Sequence, residues 1–292
     1  MTMISEFGIA IRPVMPKDRQ GLANLIHFET HVHRHLDWKP PLDWLGDAPF
    51  LVLEQDGILR SALICPPDPP DVAWMRLFAV SSLYPLEKAW DLLWGEARKH
   101  LLQNPRIQIA SIPLQEWFRR LLDQSHFRHT RDIVLMVWHR GSQVSMPKNP
   151  TVLVRPMNSD DLPTIEILDG LAFEPIWQNS LDSLQHAFHQ ASVATVALVE
   201  NSLVGYQIST ASPMGGHLAR LAVHPHYQCK GIGSALVGDM LDQFSRRGAS
   251  RVTVNTQDHN VISKTLYQKL GFRQSNEIYP VYQYIKEMDE PK

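Results

Sequence analysis

Leu221-Ala222-Val223-His224-Pro225-His226-Tyr227-Gln228-Cys229-Lys230-Gly231-Ile232-Gly233-Ser234 is the stretch on which the reading turns. An apolar run ends at Val223 and a polar turn follows. Two glycines one residue apart then lead into Leu236, Met240, Leu241 and Phe244, which recur at helical spacing. This order predicts a strand, a tight turn and a helix. Such a junction suits an anion. Glycines let a ligand approach the backbone, and the first N–H groups of a helix have no partner inside it and carry the positive end of its dipole. The glycines fit neither the Gly-x-x-x-x-Gly-Lys-Ser/Thr nucleotide loop nor the Gly-x-Gly-x-x-Gly dinucleotide fingerprint. Ordinary tight turns carry the same pair, so the wider sequence has to decide.

Moving outward, the chain repeats itself once. Ile11-Arg12-Pro13 with Asp18 recurs 143 residues later as Val154-Arg155-Pro156 with Asp161. Leu77-Phe78-Ala79-Val80 recurs at the same distance as Arg220-Leu221-Ala222-Val223, and Phe127-Arg128 recurs as Phe272-Arg273. The period is too long for a solenoid and fits two copies of one domain of ~140 residues. The expected boundaries are residues 1–140 and 151–292. The segment 141–150 (GSQVSMPKNP) has no apolar periodicity and reads as a linker.

Both copies read alike. A short strand at the Arg-Pro signature leads into helical segments and then a hairpin. In the first copy this is Phe50 to Leu63, turning at Asp56-Gly57; in the second it is Val193 to Val199 and Leu203 to Ser209, turning around Asn201-Ser202. A strand ending in Ala-Val, a long helix (Leu86, Trp90, Leu93, Ala97, Leu101 in the first copy), an alternating strand, a further helix and closing strands complete each copy. The predicted class is α+β, each domain a mixed, mostly antiparallel sheet flanked by helices.

Composition narrows the function. In 292 residues, 28 Lys and Arg stand against 30 Asp and Glu, a net charge of −2, which leaves no basic excess for binding nucleic acid. Cys65 and Cys229 make no disulfide framework and suit a reducing compartment. The opening residues lack a secretory signal's basic start and long apolar core, and apolar runs fall short of the ~20 residues of a membrane span. A cytoplasmic protein without nucleic-acid or membrane partners is expected.

Leu221-Ala222-Val223-x-Pro225, then Gln228-x-x-Gly231-x-Gly233, then Asn260-x-x-Ser263-x-x-Leu266-Tyr267-x-x-Leu270-Gly271-Phe272, resembles the GNAT superfamily of acetyl-CoA-dependent N-acyltransferases. The resemblance covers residues 154 to 285 and is strongest from 217 to 273. Gln228 and Cys229 stand where the family most often has Arg and Gly; Gln keeps a side-chain donor without the charge. At the 143-residue spacing, Gln228, Gly231 and Gly233 fall on Pro85, Lys88 and Trp90. Proline offers no N–H and tryptophan blocks backbone approach, so the first domain is expected to be a degenerate GNAT-like copy without a cofactor loop. It also lacks a counterpart of Tyr267, since Ser111 to Arg120 contains no Tyr. The asymmetric pairing resembles the tandem architecture of mycothiol synthase relatives.

The resemblance implies acetyl-CoA as co-substrate. The strand at Leu221, Ala222 and Val223 would splay from that at Val252 to Asn255, pantetheine pairing with main-chain groups of Leu221 and Val223. The pyrophosphate would rest on the N–H groups of Cys229, Lys230, Gly231, Ile232, Gly233 and Ser234, with Gln228 and Asn260 beside the cofactor. A primary amine, on a small molecule or a peptide N-terminus, would attack the thioester directly in a ternary complex. The Val223 N–H would serve the oxyanion and Tyr267 the departing sulfur. A thiol near ~8.5 is more acidic than a phenol near ~10, so a hydrogen bond from Tyr267 is the expected role rather than full proton transfer.

Other side chains have weaker readings. His217, six residues before Val223, is a candidate base, although a strand-end His facing solvent is the commoner case. Glu174, in the region that usually covers the acceptor, is a weaker candidate, and Asp258 and His259 suit a helix cap. Cys229 reads as a small residue near phosphate rather than a reactive thiol. His31-x-His33-x-His35 would approach metal-ligand geometry only on a strand. With Leu36 and Trp38 it reads as a polar surface helix, and no metal is expected. Pro66 to Pro70 is a stiff loop, and Trp38, Trp44, Trp74, Trp90 and Trp94 fill either a core or an interface between the halves. The alternative function is a non-catalytic acyl-CoA-binding or scaffold module; Tyr267 together with both glycines favours the enzyme.

Overall fold

The computed structural model describes residues 3–5, 8–142, 151–213 and 215–286. The chain forms two compact units, residues 1–130 with 280–292, and residues 131–279.

The first unit contains β1 (Met3–Ser5), β2 (Ile9–Pro13), α1 (Arg19–Phe28), β3 (His31–Arg34), β4 (Phe50–Gln55), β5 (Ile58–Ile64), β6 (Val72–Trp74), β7 (Leu77–Val80), α2 (Leu86–Leu101), β8 (Gln108–Ser111) and α3 (Glu116–Gln124). Its larger sheet runs β1-β2-β4-β5-β7-β3, every pairing antiparallel. The hairpin turns at Asp56 and Gly57, both at positive φ, as the Asp-Gly signal requires. One face of the sheet packs Leu53, Leu63, Phe78 and Val80 with Trp90 and Trp94 of α2 and Phe118 of α3. The other packs Val52, Ala62, Ile64, Leu77 and Ala79 with Trp44 and with Leu22, Leu25 and Ile26 of α1. Trp44, Trp74, Trp90 and Trp94 are therefore buried within this unit.

β3 corrects the sequence reading of a surface helix. His31, His33 and His35 extend along a strand edge, and aromatic rings meet all three: Trp117 for His31, Phe118 for His33 and Trp74 for His35. Burial pushes the His33 imidazole down to about 3. Among the described residues, no group of three or more His, Cys, Asp or Glu is gathered to hold a metal.

The second unit contains β10 (Leu153–Pro156), α4 (Leu162–Ala172), α5 (Leu181–Gln190), β11 (Val193–Val199), β12 (Ser202–Ser212), β13 (Gly215–Val223), α6 (Ile232–Arg246), β14 (Arg251–Gln257) and α7 (Val261–Lys269). Its strands run in the order β10-β11-β12-β13-β14, and only β13 and β14 pair in parallel. The Arg-Pro signature is structural in both units. Arg12 grips both carboxylate oxygens of Asp18 at 2.7 and 2.8 Å, and Arg155 grips those of Asp161 at 2.7 Å each, tying β2 to the start of α1 and β10 to the start of α4. These bonds hold both carboxyls below their ordinary range.

The unit boundaries differ from 1–140 and 151–292 because the two copies exchange closing strands. β9 (Phe127–His139) and β15 (Arg273–Tyr284) are equivalent in the repeat. Residues 133–139 of β9 pair with β14 in the second unit, while Tyr282 and Gln283 of β15 pair with Ser111 and Ala110 of β8 in the first. Either closing strand presents the same alternation, so each can complete the other copy's sheet. The expected linker lies outside the described residues from 143 onward.

Candidate functional site

β13 and β14 are hydrogen-bonded only at Gly216↔Val252, His217↔Thr253 and Leu218↔Val254. Beyond Leu218 the strands part. A bulge causes this: against β12, Ser209 faces Leu218 and Ile208 faces Arg220, so Ala219 is an extra residue that turns β13 away from its parallel neighbour. The sequence expectation of a splay at Leu221 to Val223 is thus met.

Antiparallel alternation decides what β13 offers to the gap. His224 donates to the Val204 carbonyl at 2.9 Å, so its pair is hydrogen-bonded and so, two residues back, is Tyr206↔Ala222. Leu221 and Val223 occupy the intervening non-bonded positions, and their N–H and C=O groups point away from β12 into the gap. The Gln228 side chain donates to the Val223 carbonyl at 3.1 Å, which leaves the Val223 N–H and both groups of Leu221 for a ligand. Gln228 therefore braces the strand end.

The turn ends with Cys229 at φ 60 and Gly231 at φ 82, both left-handed. Gly231 caps α6 without any side-chain hydrogen bond, so the N–H groups of Ile232, Gly233 and Ser234 have no acceptor in the helix. They converge with the helix dipole on one anion position. The Lys230 ammonium lies 5.1 Å from the Tyr227 ring centre beside it. Gly233 also serves packing: a Cβ there would come within 3.1 Å of Leu266 on α7.

Tyr267 is buried among Leu218, Val254, Val237, Met240 and Phe272, beside the last paired residues of the gap. Its hydroxyl bonds to no other described residue, and burial pushes its pKa up. Asn260 caps α7, accepting from the Ser263 N–H at 3.0 Å. His217 sits at the paired end of β13, its Nδ1 2.8 Å from the Thr253 hydroxyl and its pKa lowered by burial. Six extended residues span roughly 20 Å, so His217 is not brought to Val223. Glu174 is exposed and pairs with Arg131 at 2.7 Å. Asp258 and His259 pair with each other at the turn before α7.

Sequence reasoning missed a polar cluster beside the gap, in which Asp169 and Tyr206 are buried and Arg220 is largely so. Asp169 on α4 accepts from Arg220 Nε and Nη2 at 2.8 and 2.7 Å, from the Tyr206 hydroxyl, and from the Asn179 N–H at 2.8 Å. Arg220 Nη2 also donates to the Trp177 carbonyl at 2.6 Å, and the guanidinium lies 3.6 Å from the Phe173 ring centre. A signal existed: Arg220 interrupts an apolar strand, and Asp169 falls on the core face of α4 with Leu162, Ile165 and Leu168.

In the first unit the same edge is closed. β6 pairs with β8 in parallel over three residues, as β13 does with β14, and β7 then departs. There β3 lies on the departing edge, pairing His31↔Val80 and His33↔Phe78. His35 donates to the Arg76 carbonyl at 2.9 Å, which makes both of these hydrogen-bonded pairs. The main-chain groups of Phe78 and Val80, the counterparts of Leu221 and Val223, are therefore taken by the chain itself.

Residues 162–272 match the model of the Acetyltransferase (GNAT) family. Similar solved structures extend the likeness over the whole chain. A GCN5-related N-acetyltransferase from Sphaerobacter thermophilus shares 14% identity at a TM-score of 0.60, over 96% of each chain. A tandem GNAT protein from the clavulanic acid biosynthesis pathway shares 13% at 0.61, over 94% of this chain and 98% of that one. A probable N-acyltransferase from Enterococcus faecalis V583 shares 10% at 0.71, over 97% and 72%. At these identities the likeness is one of fold: two tandem α+β domains, each an antiparallel-dominated sheet flanked by helices. Among the described residues no helix is long and apolar enough to cross a membrane.

Proposed function

We propose that the protein is an N-acetyltransferase whose second unit moves an acetyl group from acetyl-CoA to a primary amine, on a small molecule or a peptide N-terminus. The gap between β13 and β14 carries this reading, because both main-chain groups of Leu221 and the N–H of Val223 face it unpaired while the uncapped start of α6 lies just beyond. Acetyl-CoA has amide groups on its pantetheine arm to pair with Leu221 and a pyrophosphate to meet the N–H groups of Ile232, Gly233 and Ser234. Lys230 supplies the positive charge that Gln228 lacks.

The chemistry follows from these groups. The Val223 N–H donates to the thioester carbonyl oxygen and strengthens as negative charge grows there when the amine attacks. The Tyr267 hydroxyl donates to the sulfur as the carbon–sulfur bond breaks. Its raised pKa makes it a hydrogen-bond donor throughout rather than a source of a transferred proton. The amine must arrive neutral, and its proton leaves through water, because His217 is held at the far end of β13. Asn260 acts through its cap, fixing the start of α7 and with it Tyr267.

Calorimetric titration of acetyl-CoA into the intact chain tests the reading, followed by amine-dependent release of CoA thiol across a panel of primary amines. One site per chain with turnover on at least one amine is expected. Absence of binding would refute the assignment, and binding without turnover on any amine would leave the acyl-CoA-binding module instead.

A further inference from the structure

The two copies of the fold treat one segment in opposite ways. In the first unit the residues after α1 form β3 and seal the edge of β7. The 143-residue repeat places Glu174 to Trp177 at the same position in the second unit. There the segment is a 3-10 turn, Pro175–Trp177, which leaves the β13 edge uncovered.

The side chains beneath the segment account for the difference. Asp169 is equivalent to Ile26 and Arg220 to Leu77 in the repeat. Tyr206 faces Ala222 as Ala62 faces Ala79, so Tyr206 corresponds to Ala62. The side chains of Ile26, Ala62 and Leu77 belong to one apolar cluster and give the following segment no side-chain polar anchor; only the Ile26 carbonyl is used, accepting from Arg34 of β3. Asp169, Arg220 and Tyr206 instead make a closed set of hydrogen bonds that reaches the segment at three points: the Trp177 carbonyl, the Asn179 N–H and the Phe173 ring. Gln178 adds bonds to the Phe173 and Gly170 carbonyls at 3.0 Å each. A buried ion pair is seldom more stabilising than apolar residues of like volume, so its value here lies in where it holds the chain.

We infer that Asp169, Arg220 and Tyr206 form a polar latch that holds residues 173–179 off the edge of β13 and so keeps the gap of the second unit open to its ligand. These are positioning residues. Reading that ligand as acyl-CoA rests on the proposed function; the latch itself is a statement about the β13 edge.

Grafting the first unit's residues tests it, with the triple variant Asp169→Ile, Tyr206→Ala, Arg220→Leu of the full chain. Amide hydrogen exchange without ligand reports on the edge directly. The Leu221 and Val223 amides should exchange at least tenfold more slowly than in the unaltered protein, approaching Phe78 and Val80, and acetyl-CoA affinity should fall at least tenfold. A folded triple variant whose Leu221 and Val223 amides exchange at the original rate would overturn the latch. Should the triple variant not fold, Tyr206→Phe removes one hydrogen bond and keeps the ring. Faster exchange of the Asn179 amide with severalfold weaker acetyl-CoA binding supports the latch, and no change in either overturns it. Slowed exchange in the triple variant of a protein that never binds acetyl-CoA would uphold the latch while refuting the acyltransferase assignment.

Discussion

Replacing Tyr267 with Phe separates a chemical role from a packing role, because the structure sets opposite expectations for the two. The ring is 4% exposed and packs 5.6 Å from Phe272, and Phe keeps both contacts. The hydroxyl bonds to no other described residue, so its removal breaks no bond that the fold depends on. Tyr267→Phe should therefore leave the melting temperature unchanged. Catalysis should respond the other way. A hydrogen bond to a group gaining charge contributes ~1.5–3 kcal/mol, which at ~1.4 kcal/mol per decade predicts a 10- to 100-fold fall in kcat. Acetyl-CoA affinity should hold within about twofold, since the bond strengthens only as the sulfur departs. Steady-state release of CoA thiol, calorimetric Kd and thermal denaturation together form the assay. Unchanged kcat would refute the role at sulfur, and a melting temperature lowered by several degrees would show that the hydroxyl is structural.

Three further outcomes are expected. Gly231→Asp places a carboxylate at the proposed phosphate position and a side chain at φ 82; it should weaken acetyl-CoA at least ~100-fold by calorimetry while costing the fold only ~1–2 kcal/mol. Asp169→Leu and Arg220→Leu should each destabilise by ~3–5 kcal/mol in urea, since each strands a buried charge. The double variant should cost less than their sum by more than ~2 kcal/mol, and additivity would show the pair uncoupled. His33 is fully buried with its pKa lowered from 6.5 to about 3, so the folded protein binds fewer protons than the unfolded chain. Its contribution is complete above pH 6.5 and declines as pH falls toward 3; ~2 kcal/mol should be lost between pH 7.5 and 5. His33→Phe should lose that much less over the same interval, and equal acid sensitivity would contradict a neutral buried imidazole.

The sequence alone determined the features that local signals encode. The repeat, the two hairpins, the strand–turn–helix junction at Val223 to Ser234 and the order of elements follow from periodicity and turn chemistry within a few residues. That Pro85 and Trp90 stand in the first copy where the second has Gln228 and Gly233 was also legible, because a missing N–H and a bulky ring are properties of the residues themselves. Tertiary structure decided what depends on a partner distant in the chain. Whether His31 to His35 is helix or strand turned on the free edge of β7, which its own pattern does not announce. β9 and β15 carry the same alternation, so only the assembled sheets show which one closes each copy. Ala219 becomes a bulge through its register against β12, and Asp169, Arg220 and Tyr206 become a cluster through α4 crossing two strands. A strand's hydrogen bonds and a buried charge's partner are both supplied from elsewhere in the chain, and the residues themselves reveal only that a partner is needed.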